Sequence, residues 1–157
     1  MIEQIYKYFS IEIIYLWLNL SILPFWFMLI FFPQSKICRL FILSIFPILI
    51  LSSVYCFVAY LAFQNHYNFF EIFRLYSSLN NLLNLFSDKL FLILFWIHFL
   101  AINLFCGGWI VSDSQKFGTP KILVFFPLII TYLVGPLGIM LYWLVRIFYS
   151  KKINLYD

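Results

Sequence analysis

Long apolar stretches separated by short polar segments organise this chain. Four windows contain no charged residue, and they are 23, 31, 23 and 24 residues long. The windows are Ile13–Ser35, Leu40–Phe70, Leu90–Ser112 and Ile122–Val145. A helix needs about 20 apolar residues to cross the hydrocarbon core of a bilayer. The pattern therefore predicts an all-α membrane protein built as a bundle of four transmembrane helices.

Prolines and charged residues set the predicted limits of these helices. We place the spans at about residues 11–32, 37–63, 90–110 and 122–148. Pro33 ends the first span, because proline lacks the amide hydrogen that a continuing helix needs. Glu12 precedes the first apolar run and no small-residue cleavage site follows it, so we expect an ordinary span rather than a cleaved signal.

The connection between the second and third spans is the only long one. Its middle, about residues 69–86, mixes apolar side chains with Glu71, Arg74 and several asparagines. The uncharged length is too short for a fifth span, so this stretch predicts an amphipathic segment at the membrane interface. With no repeat and no separate soluble region, residues 1–157 are predicted to form a single integral membrane domain.

Composition supports a lipid environment and excludes several functions. The chain is 65% hydrophobic and 10% charged, whereas a soluble domain has roughly a quarter charged residues. Most cations flank the apolar windows, as in interfacial anchoring, so nucleic acid is not an expected partner. The three cysteines lack a CxxC spacing and are interpreted as small apolar residues. Without clustered ligands, we expect no metal.

The third window contains the strongest candidate chemistry, in the stretch from Trp96 to Asp113. His98 and Asn103 interrupt an otherwise apolar helix, and such groups are costly in hydrocarbon and often functional. On a straight helix they point about 140° apart. His98 is either a proton donor and acceptor or a buried neutral imidazole bonded to a backbone carbonyl. Asn103 is either functional or a helix-packing residue beside Gly107.

Polar residues in the first and fourth windows can likewise be interpreted either as functional or as helix-packing residues. Asn19 lies near Pro24, where it can satisfy freed backbone groups or bond a neighbouring helix. Tyr142 and Arg146 share a broad face of the fourth span with two glycines. That face predicts either close helix packing, with Arg146 reaching to the interface, or a groove for a flat or elongated apolar ligand.

Three sequence motifs, taken in order, resemble one known family. They are WLNLSILPFW from Trp17, WIHFLAINLFCGGWIVSD from Trp96, and GPLGIMLYWLVR from Gly135. Together they resemble the abscisic acid deficient 4-like family, whose plant members are associated with neoxanthin synthesis in plastid membranes. The resemblance extends over nearly the whole chain. It implies a multi-pass protein of a plastid membrane (thylakoid or envelope) or of a bacterial inner membrane.

The resemblance also implies a substrate class and a reaction. Neoxanthin formation rearranges a violaxanthin epoxide into an allene, which needs an acid and a base but no redox cofactor. The expected ligand is thus a carotenoid or a related apolar isoprenoid. The expected proton-transfer residues are His98 and Asp113. The residues expected to contact the ligand are Asn19, Trp26, Asn103, Trp109, Tyr142 and Arg146.

Two positions depart from the family pattern and keep a second function open. The family usually has an aspartate where this chain has Asn103, and an arginine where it has Gly108. An amide cannot exchange a proton at neutral pH, so acid–base work at that position is lost. The alternative is a non-catalytic small membrane subunit or assembly factor that binds a protein partner, a second copy or a pigment. A transporter is disfavoured, since one embedded histidine does not line a polar path.

Overall fold

Helices make up the part of the chain that the computed structural model describes, residues 10–64 and 78–151. No β-strand occurs within these ranges, so the predicted all-α class is confirmed. The elements, in order, are α1 (Ile11–Phe31), a π-helical turn (Cys38–Ile42), α2 (Phe46–Gln64), α3 (Leu79–Phe86), α4 (Lys89–Lys116), α5 (Lys121–Leu133) and α6 (Gly135–Ser150).

Among residues 10–64 and 78–151, three stretches are long and apolar enough to cross a membrane. They are Ile11–Phe31, Cys38–Gln64 and Lys89–Lys116, with mean hydropathies of 2.0, 2.4 and 2.2. They correspond to the first three predicted spans. Large apolar side chains point outward along them, and Trp17, Leu40 and Phe105 are each more than 60% exposed. Such a surface is suited to contact with lipid, and the chain is a membrane protein by this criterion.

The predicted fourth span, residues 122–148, is not confirmed as a single helix. It is divided at Val134, whose φ of −142° and ψ of 86° are not helical. A Cβ added to Gly138 would lie 2.6 Å from the Cα of Thr131. Seven residues of continuous helix rise about 10 Å, so the chain must fold back at Val134. Helices α5 and α6 therefore form a tight hairpin, and each is shorter than a typical span, at 13 and 16 residues.

The uninterrupted apolar window concealed this turn, because hydropathy does not distinguish one long helix from two short ones. Pro136 lies in the first turn of α6, where a proline is readily accommodated, whereas Pro24 and Pro127 lie inside α1 and α5 without ending them. Gly138 makes the close approach possible, because any side chain there would meet the Thr131 backbone.

The predicted interfacial segment is described only in part. Residues 69–77 lie outside the described ranges, and the remainder contains α3. Ser78 caps this helix by accepting a hydrogen bond of 3.2 Å from the backbone N–H of Asn81. Within α3, Leu85 is buried whereas Leu79 and Leu83 are exposed. The interfacial location of the segment stays a prediction.

The described residues group into two compact units. The first comprises residues 10–21, 49–64 and 78–100, and the second comprises residues 22–48 and 101–151. The first unit buries Leu51, Val58 and Ile97. In the second unit, the hairpin packs with the last part of α4, and the buried residues include polar side chains. Helices α1 and α4 contribute residues to both units, and the single-domain organisation stays a prediction.

Candidate functional site

A buried polar cluster joins α4 to α6 in the second unit. The hydroxyl of Tyr142 donates a hydrogen bond of 2.6 Å to Oδ2 of Asp113. The Nε–H of Arg146 donates to the same oxygen at 2.8 Å and forms an ion pair with it. Tyr142 is 0%, Arg146 1% and Asp113 9% exposed. One carboxylate therefore holds a guanidinium and a phenol within the protein interior.

The geometry of α6 explains why these two donors reach one acceptor. Tyr142 and Arg146 are four residues apart, so they lie one above the other on the same helix face. Gly135 and Gly138 are buried on this face as well. Since the glycines have no side chains, the hairpin can close tightly and turn the two larger residues toward the last turns of α4, where Asp113 lies.

Aromatic rings surround the charged end of the cluster. The guanidinium carbon of Arg146 lies 4.9 Å from the centre of the Phe117 ring and 5.2 Å from that of Trp143. Ring faces attract cations, so these contacts add to the attraction of Asp113. A buried ion pair is tolerated only when its geometry is good and its polar atoms are hydrogen-bonded. Asp113 and Arg146 form such a pair at 2.8 Å, and Tyr142 donates a further hydrogen bond to the same carboxylate.

An apolar groove lies beside this cluster. It has a volume of about 470 Å³, and its lining includes Ile45, Pro47, Phe105 and Trp109. The Trp109 ring also contacts the Tyr142 ring, with centroids 5.6 Å apart and planes at 89°. Trp109 thus contacts the apolar groove on one side and the buried cluster on the other.

Asn103 and Trp26, two of the predicted ligand contacts, lie in tight helix packing. Asn103 is 4% exposed, and its amide meets Gly135 at the start of α6. Its Nδ2 has no hydrogen-bond partner among residues 10–64 and 78–151. Trp26 is 3% exposed and fills the space above Gly107, where an added Cβ would come within 2.7 Å of the indole ring.

The other predicted residues, Asn19 and His98, belong to the first unit. Oδ1 of Asn19 accepts a hydrogen bond of 3.2 Å from the indole N–H of Trp96. Bonding of Asn19 to a neighbouring helix, one of its two predicted roles, is therefore confirmed. His98 is exposed on α4. It belongs to the first unit, whereas Asp113 belongs to the second.

The structure thus brings together Asp113, Tyr142, Arg146 and Trp109 from the predicted set. The side chain of Arg146 is buried against Asp113, and its reach to the membrane interface stays a prediction. A charge argument would not have found the pair, because the C-terminal ends of two consecutive spans lie at opposite membrane faces; only the folding back at Val134 brings Arg146 to Asp113. Within the described ranges, no group of three His, Cys, Asp or Glu side chains could hold a metal ion.

The apolar helices and the buried cluster define a helical integral membrane protein with a charged pair in its interior. The model of the ABA DEFICIENT 4-like family matches residues 13–142, which is most of the chain. This protein therefore belongs to the ABA DEFICIENT 4-like family, and the resemblance of its three motifs is confirmed. The match includes Trp109, Asp113 and Tyr142 and ends before Arg146. No curated protein and no solved structure matches the chain.

Proposed function

We propose that this protein binds a carotenoid or a related apolar isoprenoid and isomerises it by acid–base chemistry. The observation that carries the proposal is the groove beside Trp109. A single aromatic contact of 5.6 Å connects Trp109 to Tyr142, and Tyr142 is hydrogen-bonded to the carboxylate of Asp113. An apolar ligand that contacts Trp109 in the groove would therefore be connected to the Asp113 carboxylate through Trp109 and Tyr142.

The groove fits one end of such a ligand. Its volume of about 470 Å³ falls within the roughly 300–1,000 Å³ that is usual for small-molecule pockets. Its wall is largely apolar, while Ser112 and the indole of Trp109 provide hydrogen-bond donors for an oxygenated end ring. The rest of a long polyene would extend into lipid. Gly108 lies in the lining, so the space that the usual family arginine would fill is open here.

The proposed reaction is a net isomerisation. One proton is delivered to the epoxide oxygen as its C–O bond breaks, and another is removed from the polyene carbon as the allene forms. The substrate gains one proton and loses one, with no change in oxidation state, so the reaction needs no redox cofactor. We assign the proton removal to Asp113. Tyr142 and Arg146 are positioning residues, because they fix the carboxylate through Oδ2.

His98 is proposed as a second proton-transfer residue, acting apart from Asp113. Its imidazole is exposed on a membrane-spanning helix, and an imidazole can both donate and accept a hydrogen bond. Asn19, Trp26 and Asn103 are proposed as ligand contacts. Asn103 is considered because its Nδ2 is buried without a hydrogen-bond partner among the described residues and the adjacent Leu104 lines the groove.

Pigment profiling in a violaxanthin-producing host tests the proposed isomerase. Expression of the chain is expected to yield an allenic product. Asp113→Asn keeps the size of the side chain but removes the base, so product formation should fall by about 100-fold or more. Arg146→Lys should retain more activity than Arg146→Met if Arg146 acts by positioning Asp113. His98→Ala with full activity would exclude His98, and an unchanged pigment profile with the wild-type chain would exclude the isomerase.

A non-catalytic role is the second candidate, and one observation favours it. Oδ2 of Asp113 already accepts from both Tyr142 and Arg146, as expected for a purely structural ion pair. In this case the protein would bind a partner or a pigment without changing it. Affinity isolation in mild detergent should then recover a stoichiometric protein or an unaltered pigment. A clean monomer without pigment would contradict this alternative.

A further inference from the structure

A second, larger cavity lies in the second unit, where several helices end. Its volume is about 610 Å³. It is lined by residues from the end of α1, the segment that follows, the last turns of α4 and the start of α5. Gln115 ties two of these parts together, because its Nε2 donates a hydrogen bond of 2.8 Å to the Pro33 carbonyl. The cavity is thus formed at the level where apolar spans give way to polar connections.

The charge of the cavity wall is entirely positive. Arg39 and Lys121 both line it, and no aspartate or glutamate is in the lining. Neither cation has an ion-pair partner among residues 10–64 and 78–151. Two exposed cations on one concave surface, without a neutralising carboxylate, attract an anion.

Polar groups at the start of α5 add to this attraction. The helix has no acidic residue in its first turn and no capping side chain, so its N-terminal end presents N–H groups and a positive dipole. Thr119 lines the same wall, and its buried Oγ1 has no hydrogen-bond partner among the described residues. A phosphate oxygen would provide an acceptor for the N–H groups at this helix end.

The inner part of the cavity is apolar. Ile30, Val124 and Leu128 contribute to its lining, and the last two are 5% and 1% exposed. An apolar surface does not stabilise a small hydrated anion. It does stabilise a hydrocarbon chain that is attached to an anionic head group. Basic pockets between membrane helices are known to bind the phosphate-bearing head groups of lipids.

We propose that this cavity binds the phosphate group of an amphiphile, with Arg39 and Lys121 on the phosphate and the apolar floor against the attached chain. This site is distinct from the groove beside Trp109 and does not depend on the isomerase activity. The shared chemistry is a phosphate group, which either a membrane phospholipid or free phosphate can supply.

Native mass spectrometry of the full-length protein in detergent tests the proposal with three probes. Dioctanoyl phosphatidic acid should bind, and dioctanoylglycerol, which has the same chains without the phosphate, should bind at least ten times more weakly. Inorganic phosphate separates the two sources. Weak binding of free phosphate supports a lipid head group as the ligand, whereas binding as tight as that of phosphatidic acid would show that the apolar floor contributes nothing and would overturn the amphiphile. Equal binding of phosphatidic acid and dioctanoylglycerol would overturn the proposal.

Variants of the two cations provide an independent test. An interaction of about 1 kcal/mol per cation corresponds to a loss of about five-fold for Arg39→Gln or Lys121→Gln, and about 25-fold for both. Lys36→Gln is the matched control, because Lys36 is an exposed cation of the same connection that does not line the cavity. An equal loss in Lys36→Gln, or no loss in the double variant, would overturn the proposal. The comparison of lipids on the wild-type protein holds even if a variant fails to fold.

Discussion

Replacing Arg146 by methionine tests whether the buried cluster holds the hairpin against α4. The substitution keeps an unbranched side chain but removes the guanidinium, and the Asp113 carboxylate then stays buried without its ion-pair partner. Removal of one member of a buried pair destabilises a protein by about 3–5 kcal/mol. Because the side chains of Arg146 and Asp113 are only 1% and 8% exposed, screening by solvent gives no reason to reduce this value.

The measurement is reversible unfolding of the purified protein in mixed micelles with increasing denaturing detergent. Asp113→Asn/Arg146→Met removes both charges while an acceptor for Tyr142 remains, so this double variant should be more stable than Arg146→Met alone. Lys89→Met is the control, because the Lys89–Glu12 pair has the same 2.8 Å separation but its side chains are 73% and 65% exposed. It should show no measurable change. The reasoning is refuted if Arg146→Met unfolds like Lys89→Met, or if the double variant is the least stable.

Two further predictions concern glycines of the second unit. Gly107→Ala should destabilise by about 1–3 kcal/mol, because its Cβ would come within 2.7 Å of the Trp26 ring, whereas Gly108→Ala should be tolerated, with 3.6 Å to the nearest side chain. The same unfolding assay would disprove this if the two neighbours behaved alike. Gly138→Ala should be more damaging than either, since the obstacle is the Thr131 backbone; wild-type unfolding and protease resistance of this variant would contradict the tight hairpin.

Much of the architecture follows from the position of charges along the sequence. Because placing ions in hydrocarbon is costly, membrane spans lack charged residues, and the charge-free windows correctly predicted three of the four spans. The same criterion failed for the fourth span, because the turn between α5 and α6 contains no charged residue and leaves the apolar window uninterrupted. Only Pro136 and the glycines beside it carried a local signal, and these were compatible with a kink as well as with a reversal.

The candidate site was predictable residue by residue but not as a cluster. Helical periodicity placed Tyr142 and Arg146 on one face, and this is where they are. Their contact with Asp113 depends on the folding back of α6, and helical periodicity alone does not predict where the chain reverses its direction. Conversely, the sequence contained no signal that the two expected proton-transfer residues, His98 and Asp113, belong to different units.

The most direct test of the proposed ligand is to measure how much carotenoid remains bound to the protein purified from a violaxanthin-producing host. Gly108→Phe would fill the groove beside Trp109, and Gly108→Ala is its control at the same position. We expect pigment in a fixed ratio to the wild-type protein and to Gly108→Ala, and at least ten-fold less on a folded Gly108→Phe. Absence of pigment from the wild-type protein, or the same amount on all three, would contradict the account.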